Sequence, residues 1–181
     1  MLKIYKYIYY IYIILFTLRK INLINAIEIN IKNDNINNLE DIIYHNQNED
    51  NLILHFNENY YDMSNISFKG FNITVISNIT FLGYKENIIF DFKNKSNGLI
   101  NISYSENSGN TVLFENIIFK NYFDPSTRHM FTINIDSDTN YLKFKNCTFT
   151  DNQYFIFGFN VYSFQPSNQD YFVSFDECKF L

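Results

Sequence analysis

Phe114-Glu115-Asn116-Ile117-Ile118-Phe119, Phe144-Lys145-Asn146-Cys147-Thr148-Phe149 and Phe175-Asp176-Glu177-Cys178-Lys179-Phe180 spell one pattern three times, Phe-x-(Asn/Glu)-x-x-Phe. The copies begin 30 and then 31 residues apart. A period of this size marks stacked structural units, each unable to bury its own apolar face alone.

Outward from the copies, the chain reads as strand after strand. Runs at 52–56, 71–76, 88–92, 99–104, 112–119, 130–135, 141–149, 154–162 and 171–180 are rich in Phe, Ile, Tyr and Val, and many alternate with period two. Asn, Ser, Asp and Lys fill the intervals, as turns require. Residues 27–31 alternate in the same way and predict a short strand. One helix is expected, over 38–44. Asn38 stands at its N-cap, Glu40 and Asp41 in the first turn, and Leu39, Ile42 and Ile43 share a face. No helices alternate with the strands, which excludes a doubly wound α/β sheet. The short motif Asn-(Ile/Cys)-x-(Phe/Tyr) also recurs at Asn65, Asn78, Asn87 and Asn101.

The helix at 39–44, then Leu52-Ile53-Leu54-His55-Phe56, Tyr60-Tyr61, Asn72-Ile73-Thr74-Val75-Ile76 and Gly83, resembles the opening of right-handed parallel β-helix proteins of the pectin-lyase-like class. The Phe-x-Asn-x-x-Phe copies are similar to the coil repeats of that class. The resemblance runs from about residue 27 to the end and implies an all-β solenoid with a helix capping its first coil. Phe114, Phe144 and Phe175 are then expected to stack on one another, as are Phe119, Phe149 and Phe180. The alternative fold is an antiparallel β-sandwich, which offers no reason for the 30-residue echo.

The expected organisation is a signal peptide at 1–26, an N-terminal strand and capping helix at 27–60, and coils at 61–181. Lys3 and Lys6 precede an apolar run at 8–18, and Ala26 is a small residue before a cut. The run is short for a membrane span, so contact with a membrane is expected only if this segment remains as an anchor. The last copy stops at Phe180 with no polar cap, as a chain that continues into further coils would. The net charge is -5 with dispersed basic residues, which argues against nucleic acid as a partner. No cofactor or metal is expected: the two cysteines and three histidines lack metal-ligand spacing. Asp136-Ser137-Asp138 lacks the remaining ligands of a calcium loop and reads as a turn.

Cys147 and Cys178 share a repeat position. A disulfide between adjacent coils is one reading; an unbridged ladder of small core residues is the favoured one, because stacked side chains point the same way. Six sequons, at Asn65, Asn72, Asn78, Asn94, Asn101 and Asn146, are candidate glycan sites on a secreted chain. Asn94 is the most loop-like of them, and the motif asparagines are excluded wherever they form an internal ladder. Asp124, Arg128 and His129, in the polar stretch Asp124-Pro125-Ser126-Thr127-Arg128-His129, are weak catalytic candidates, with Asp124 as base and Arg128 steadying a carboxylate. An ordinary turn is the favoured reading there.

These features point to a secreted or cell-surface β-helix with a non-catalytic structural, adhesive or carbohydrate-contacting role. Its expected partners are extracellular carbohydrate or cell-surface material. The alternative is a polysaccharide lyase or glycoside hydrolase of the pectin-lyase-like class. Such an enzyme needs a constellation of acids on one strand face, which the sequence does not display.

Overall fold

The computed structural model describes residues 26–47, 51–85, 88–104, 109–135, 139–161 and 172–181. Residues 1–25 of the expected signal segment, Asn87 and the Asp136-Ser137-Asp138 turn lie outside this set. The chain runs β1 (Ala26–Ile31), α1 (Leu39–Asn46), β2 (Asn51–Phe56), β3 (Tyr60–Asp62), β4 (Phe71–Val75), β5 (Asn78–Gly83), β6 (Ile88–Lys95) and β7 (Ile100–Tyr104). It continues through β8 (Thr111–Glu115), β9 (Ile117–Tyr122), β10 (Phe131–Ile135), β11 (Tyr141–Lys145), β12 (Thr148–Thr150), β13 (Phe157–Val161), β14 (Val173–Asp176) and β15 (Lys179–Phe180).

Every third strand joins the same sheet. Sheet A is ordered β1-β2-β5-β8-β11-β14, sheet B β3-β6-β9-β12-β15 and sheet C β4-β7-β10-β13. The strand pairs are parallel. This is a right-handed parallel β-helix of about five turns with one short helix near its N-terminal end. Right-handed crossover is what parallel strands in one sheet impose.

Inward residues are apolar, and outward positions mix polar residues with half-buried Ile and Leu, because a strand sends alternate side chains to opposite faces. Parallel, in-register stacking then places like on like. Phe81, Phe114, Phe144 and Phe175 form one stack inside sheet A, with ring centroids 4.4, 5.2 and 5.1 Å apart and ring planes within 18° of parallel. Phe119, Phe149 and Phe180 form another inside sheet B, at 5.2 and 4.9 Å. Phe131 and Phe157 face them from sheet C, stacked at 5.3 Å. Within a coil the stacks meet edge to face: Phe114, Phe119 and Phe131 lie at mutual distances of 5.9, 5.4 and 5.2 Å. Edge-to-face pairs add about 0.5–1.5 kcal/mol each to the burial term.

Three expected strands divide in two. The runs at 112–119, 141–149 and 171–180 are broken at Asn116, Asn146 and Glu177, whose φ angles are 62°, 48° and 53°. These left-handed residues turn the chain from sheet A to sheet B. Asparagine adopts that conformation more readily than most residues, which explains two of the three. Two further strands, β3 and β5, fall where turns were expected. The helix starts at Leu39 after a short 3-10 turn over Ile36–Asn38, and the Asn38 side chain makes no capping hydrogen bond.

The N-terminal end of the solenoid is closed by amide side chains. At the edge of sheet C, Gln47 Nε2 donates to the Thr74 carbonyl and Gln47 Oε1 accepts from Ile76 N–H, each at 2.9 Å. Glu40 Oε2 accepts from Asn72 N–H at 2.9 Å. At the edge of sheet B, Asn33 Nδ2 donates to the Tyr60 carbonyl at 2.7 Å and its Oδ1 accepts from Asp62 N–H at 3.4 Å. Each carboxamide thus offers the donor and acceptor that one residue of a missing parallel strand would supply. Edge groups left unpaired would template aggregation.

Two substitutions test this account by urea unfolding. Phe119→Ala, at a buried ring contacting five other aromatic rings, should lower stability by about 3–5 kcal/mol. Gln47→Leu keeps the burial but strands the Thr74 and Ile76 backbone groups, and should cost about 1–3 kcal/mol. A Gln47→Leu variant as stable as the parent would show that the amide does not stand in for a strand.

Candidate functional site

The three outer faces differ in chemistry. Sheet A carries Glu28, His55, Glu115, Lys143, Lys145 and Asp176 on its outward rows, and sheet B carries Asp62, Asp91, Lys120 and Lys179. On sheet C the outward positions of β4, β7 and β10 are Asn72 and Thr74, Asn101 and Ser103, Thr132 and Asn134. All six are amides or hydroxyls. The register aligns them in two rows, Asn72–Asn101–Thr132 and Thr74–Ser103–Asn134. Asn101 Nδ2 donates to Asn72 Oδ1 at 3.1 Å, Asn134 Nδ2 to Ser103 Oγ at 2.7 Å, and Asn160 Nδ2 to Asn134 Oδ1 at 2.9 Å.

The Asn72–Asn101–Thr132 row is the floor of a groove of about 510 Å³. Its walls come from the two loops that precede β4 and β10: Phe68 and Lys69 on one, Thr127, Arg128 and His129 on the other. The loops are held together across the groove mouth. Arg128 Nη1 donates to the Phe68 carbonyl at 3.1 Å, and its guanidinium lies 3.6 Å from the Phe68 ring centroid. Phe68 nevertheless stays 60% exposed, so its other face is open to a ligand. His129 packs against Phe155 and over Gly158, which leaves no room there for a Cβ.

Asp124 is placed behind this wall, not in it. It is 1% exposed and its Oδ2 lies 2.7 Å from Arg128 Nε. Ser126 N–H and Oγ–H both donate to Asp124 Oδ1, closing a tight turn. Burial pushes the carboxyl up, but the Ser126 hydrogen bonds and the Arg128 charge outweigh it and hold it below its ordinary range. A carboxylate this buried, and bonded to Ser126 and Arg128, does not reach the groove. Asp124 therefore positions Arg128, and only Arg128 and His129 of the three catalytic candidates line the groove.

The acids of sheet B are similarly engaged. Asp62 accepts from Lys93 Nζ, Ser64 and Asn65. Asp91 accepts from Tyr60 OH, Lys93 N–H and Asn121 Nδ2. Burial raises the Asp62 pKa, yet the Lys93 and Ser64 hydrogen bonds bring it below its ordinary value. A general acid for glycosidic cleavage requires the opposite shift. Among the described residues, no three His, Cys, Asp or Glu side chains gather to hold a metal.

The remaining sites are spread over the solenoid. Cys147 and Cys178 are free thiols on adjacent coils, donating to the Phe114 and Phe144 carbonyls at 3.4 Å. Burial pushes the Cys147 thiol up to about 12, so it is inert as a nucleophile. Asn146 sits at a coil corner and donates through Nδ2 to Asn116 Oδ1 at 2.8 Å. Asn78 opens β5 and donates to Asn51 Oδ1 at 3.1 Å. Asn65 ends a 3-10 turn and donates to Asp62. Asn94 lies exposed in an irregular part of β6. The short Asn-(Ile/Cys)-x-(Phe/Tyr) motif therefore spans several unrelated positions, and a single corner ladder is not formed.

Phe68, Lys69 and Thr132 carry no mark as single residues. The signal that points to this face is the triplet polar-Ile-polar, which recurs as Asn72-Ile73-Thr74, Asn101-Ile102-Ser103 and Thr132-Ile133-Asn134 at spacings of 29 and 31. Among the described residues no helix is long and apolar enough to cross a membrane. Comparison of the chain with known protein families, with curated proteins and with solved structures gives no match.

The Asp124 turn has a signature in the pH dependence of stability. A carboxyl whose folded-state pKa is depressed contributes stability above its unfolded value near about 3.9 and loses it as pH falls through the lower folded value. Asp124→Asn should be less stable than the parent by about 1–3 kcal/mol at pH near 7. The gap should narrow as pH falls through the depressed folded-state value, where the parent protonates. Urea midpoints measured across this range give the comparison, and a constant gap would remove Asp124 as the titrating group.

Proposed function

We propose that this protein is a secreted or cell-surface β-helix that binds carbohydrate without cleaving it, through the groove on sheet C. The observation that carries the reading is the chemistry of that face. Its floor row presents amides and a hydroxyl at the rung spacing of about 4.8 Å, with Leu99 beside them. Such a surface matches a polyhydroxylated chain, which needs alternating donors and acceptors and offers no charge of its own. Phe68 supplies an exposed ring at the rim against which the apolar face of a sugar can pack, and Lys69 and Arg128 add donors beside it. Binding sites of this kind are concave, with a few fixed polar groups that set orientation.

Among the described residues lining the groove there is no carboxylate, and Glu40, beside its Asn72 end, is bonded to the Asn72 N–H, which favours binding over hydrolysis. Hydrolysis calls for two carboxyl groups flanking the scissile bond. Asp124, the nearest acid in sequence to the wall residues, is committed to Ser126 and Arg128. Within the floor, Asn101 Nδ2 donates to Asn72 Oδ1, which fixes the orientation of both carboxamides.

A glycan array of neutral and uronate-containing oligosaccharides, followed by calorimetry on the hits, tests the proposal. Phe68→Ala and Lys69→Ala should each weaken binding about tenfold, equivalent to about 1.4 kcal/mol. Neither should lower the melting temperature by more than about 4 °C, because both side chains are exposed. Binding that survives both substitutions would locate the ligand elsewhere. Release of reducing or unsaturated sugars would place the chain with the lyases and hydrolases instead.

A further inference from the structure

We infer that Asn94 is an acceptor for N-linked glycan and that the sequons at Asn78, Asn101 and Asn146 are not. The inference rests on the secreted location proposed above, and the structure separates the six sequons by what each side-chain nitrogen is doing. Glycan transfer uses Nδ2: it attacks C1 of a sugar carried on a lipid pyrophosphate, the C–N bond forms as the C–O bond to phosphate breaks, the pyrophosphate leaves with the lipid, and Nδ2 loses one proton.

At three sequons that nitrogen ties one coil to the next. Asn78 Nδ2 donates to Asn51 Oδ1 at 3.1 Å, Asn101 Nδ2 to Asn72 Oδ1 at 3.1 Å and Asn146 Nδ2 to Asn116 Oδ1 at 2.8 Å. A sugar on any of them would add bulk at the nitrogen that makes the contact between coils. The fold also explains why these sequons exist. Asn72-Ile73-Thr74, Asn78-Ile79-Thr80 and Asn101-Ile102-Ser103 are polar-in-polar strand triplets, with Ile73, Ile79 and Ile102 buried between two outward residues. Asn146-Cys147-Thr148 is a coil corner followed by a buried thiol. Asn65 Nδ2 is held by Asp62 within its own turn.

Asn94 belongs to no such pattern. In β6 the pairing with β9 jumps from Asp91–Lys120 to Lys95–Tyr122, so the residues between them bulge out of the ladder. Lys93 and Asn94 both take positive φ, 49° and 56°. Lys93 is fastened by its N–H to Asp91 Oδ1 and by its Nζ to Asp62. Asn94 is exposed, and its carboxamide has no hydrogen-bond partner among the described residues. A bulge that no rung requires thus offers one sequon to solvent on a fixed base. Asn72 also has no bond from its nitrogen, but it lies in the groove floor, and a glycan there would fill the groove.

The test is to express the full chain in a eukaryotic secretion host, once with its own N-terminal segment and once behind a heterologous leader. The soluble product is then deglycosylated enzymatically in heavy-oxygen water and its peptides are weighed. The expected result behind the heterologous leader is label at Asn94, none at Asn78, Asn101 or Asn146, and loss of the glycan mass in Asn94→Gln. An unlabelled Asn94, or label at Asn101 or Asn146 in folded product, overturns the inference. Label at Asn94 behind the heterologous leader with no entry on the native segment upholds the site and overturns the secreted location. Label at Asn94 and Asn72 together upholds the site and overturns the groove as a ligand surface.

Discussion

In-register parallel stacking is the constraint on which the structure depends. Each coil must place a residue directly over its equivalent in the coil below, at the spacing the backbone hydrogen bonds dictate. Inside, the best residue to set on a phenylalanine is another phenylalanine, since offset parallel rings fill the rung spacing without a gap. The stacks through Phe114, Phe144 and Phe175 and through Phe119, Phe149 and Phe180 follow from this. A third stack from sheet C meets them edge to face, so the bore is closed by three columns of rings. The same rule governs the outside, where Asn over Asn lets each amide donate to the next. Cys147 and Cys178 obey it too, each thiol donating to the equivalent carbonyl of the coil below.

A solenoid solves pairing along its length but not at its end. The N-terminal edge is met without a full extra coil. β1 covers sheet A, while Asn33 and Gln47 supply sheets B and C with one amide each. Leu39 and Ile43 of α1 close the bore behind them, both buried. This economy reaches the groove. Glu40 on α1 accepts from Asn72 N–H, so the helix that seals the edge also fixes the first residue of the groove floor.

The rungs were legible because stacking writes itself into sequence as a repeat. Phe-x-Asn-x-x-Phe carries two inward rings and the corner between them, and its period gives the coil. The corner itself was not legible. Val112 to Phe119 reads as one apolar run, and only the left-handed φ of Asn116 reveals two strands meeting at an angle. β3 was missed because three residues cannot display a period, and β5 because Asn78 and Thr80 resemble turn residues when their ladder partners are unknown. The groove was harder still. Phe68 and Arg128 are 60 residues apart and meet because each precedes a strand of sheet C by a few residues. No local pattern records that, whereas the Asp124-Ser126-Arg128 turn was visible as a polar cluster although its geometry turns it away from chemistry.

Charge is distributed unevenly over the three outer faces. On sheets A and B several titratable groups sit beside a partner: Glu28 with His55, Glu115 with Lys145, and Asp62 with Lys93. Opposite charges one rung apart attract and like ones repel, so the stacked Asp62 and Asp91 are relieved by Lys93, which donates through its N–H to Asp91 and through Nζ to Asp62. A row of acids able to do chemistry would have to override that rule at a cost in stability, as functional sites do when they keep unfavourable groups together. Sheet C shows no such override. Among the described residues its rows are neutral and linked from coil to coil by Asn101 with Asn72, Asn134 with Ser103 and Asn160 with Asn134, so the outer face obeys the same stacking logic as the core.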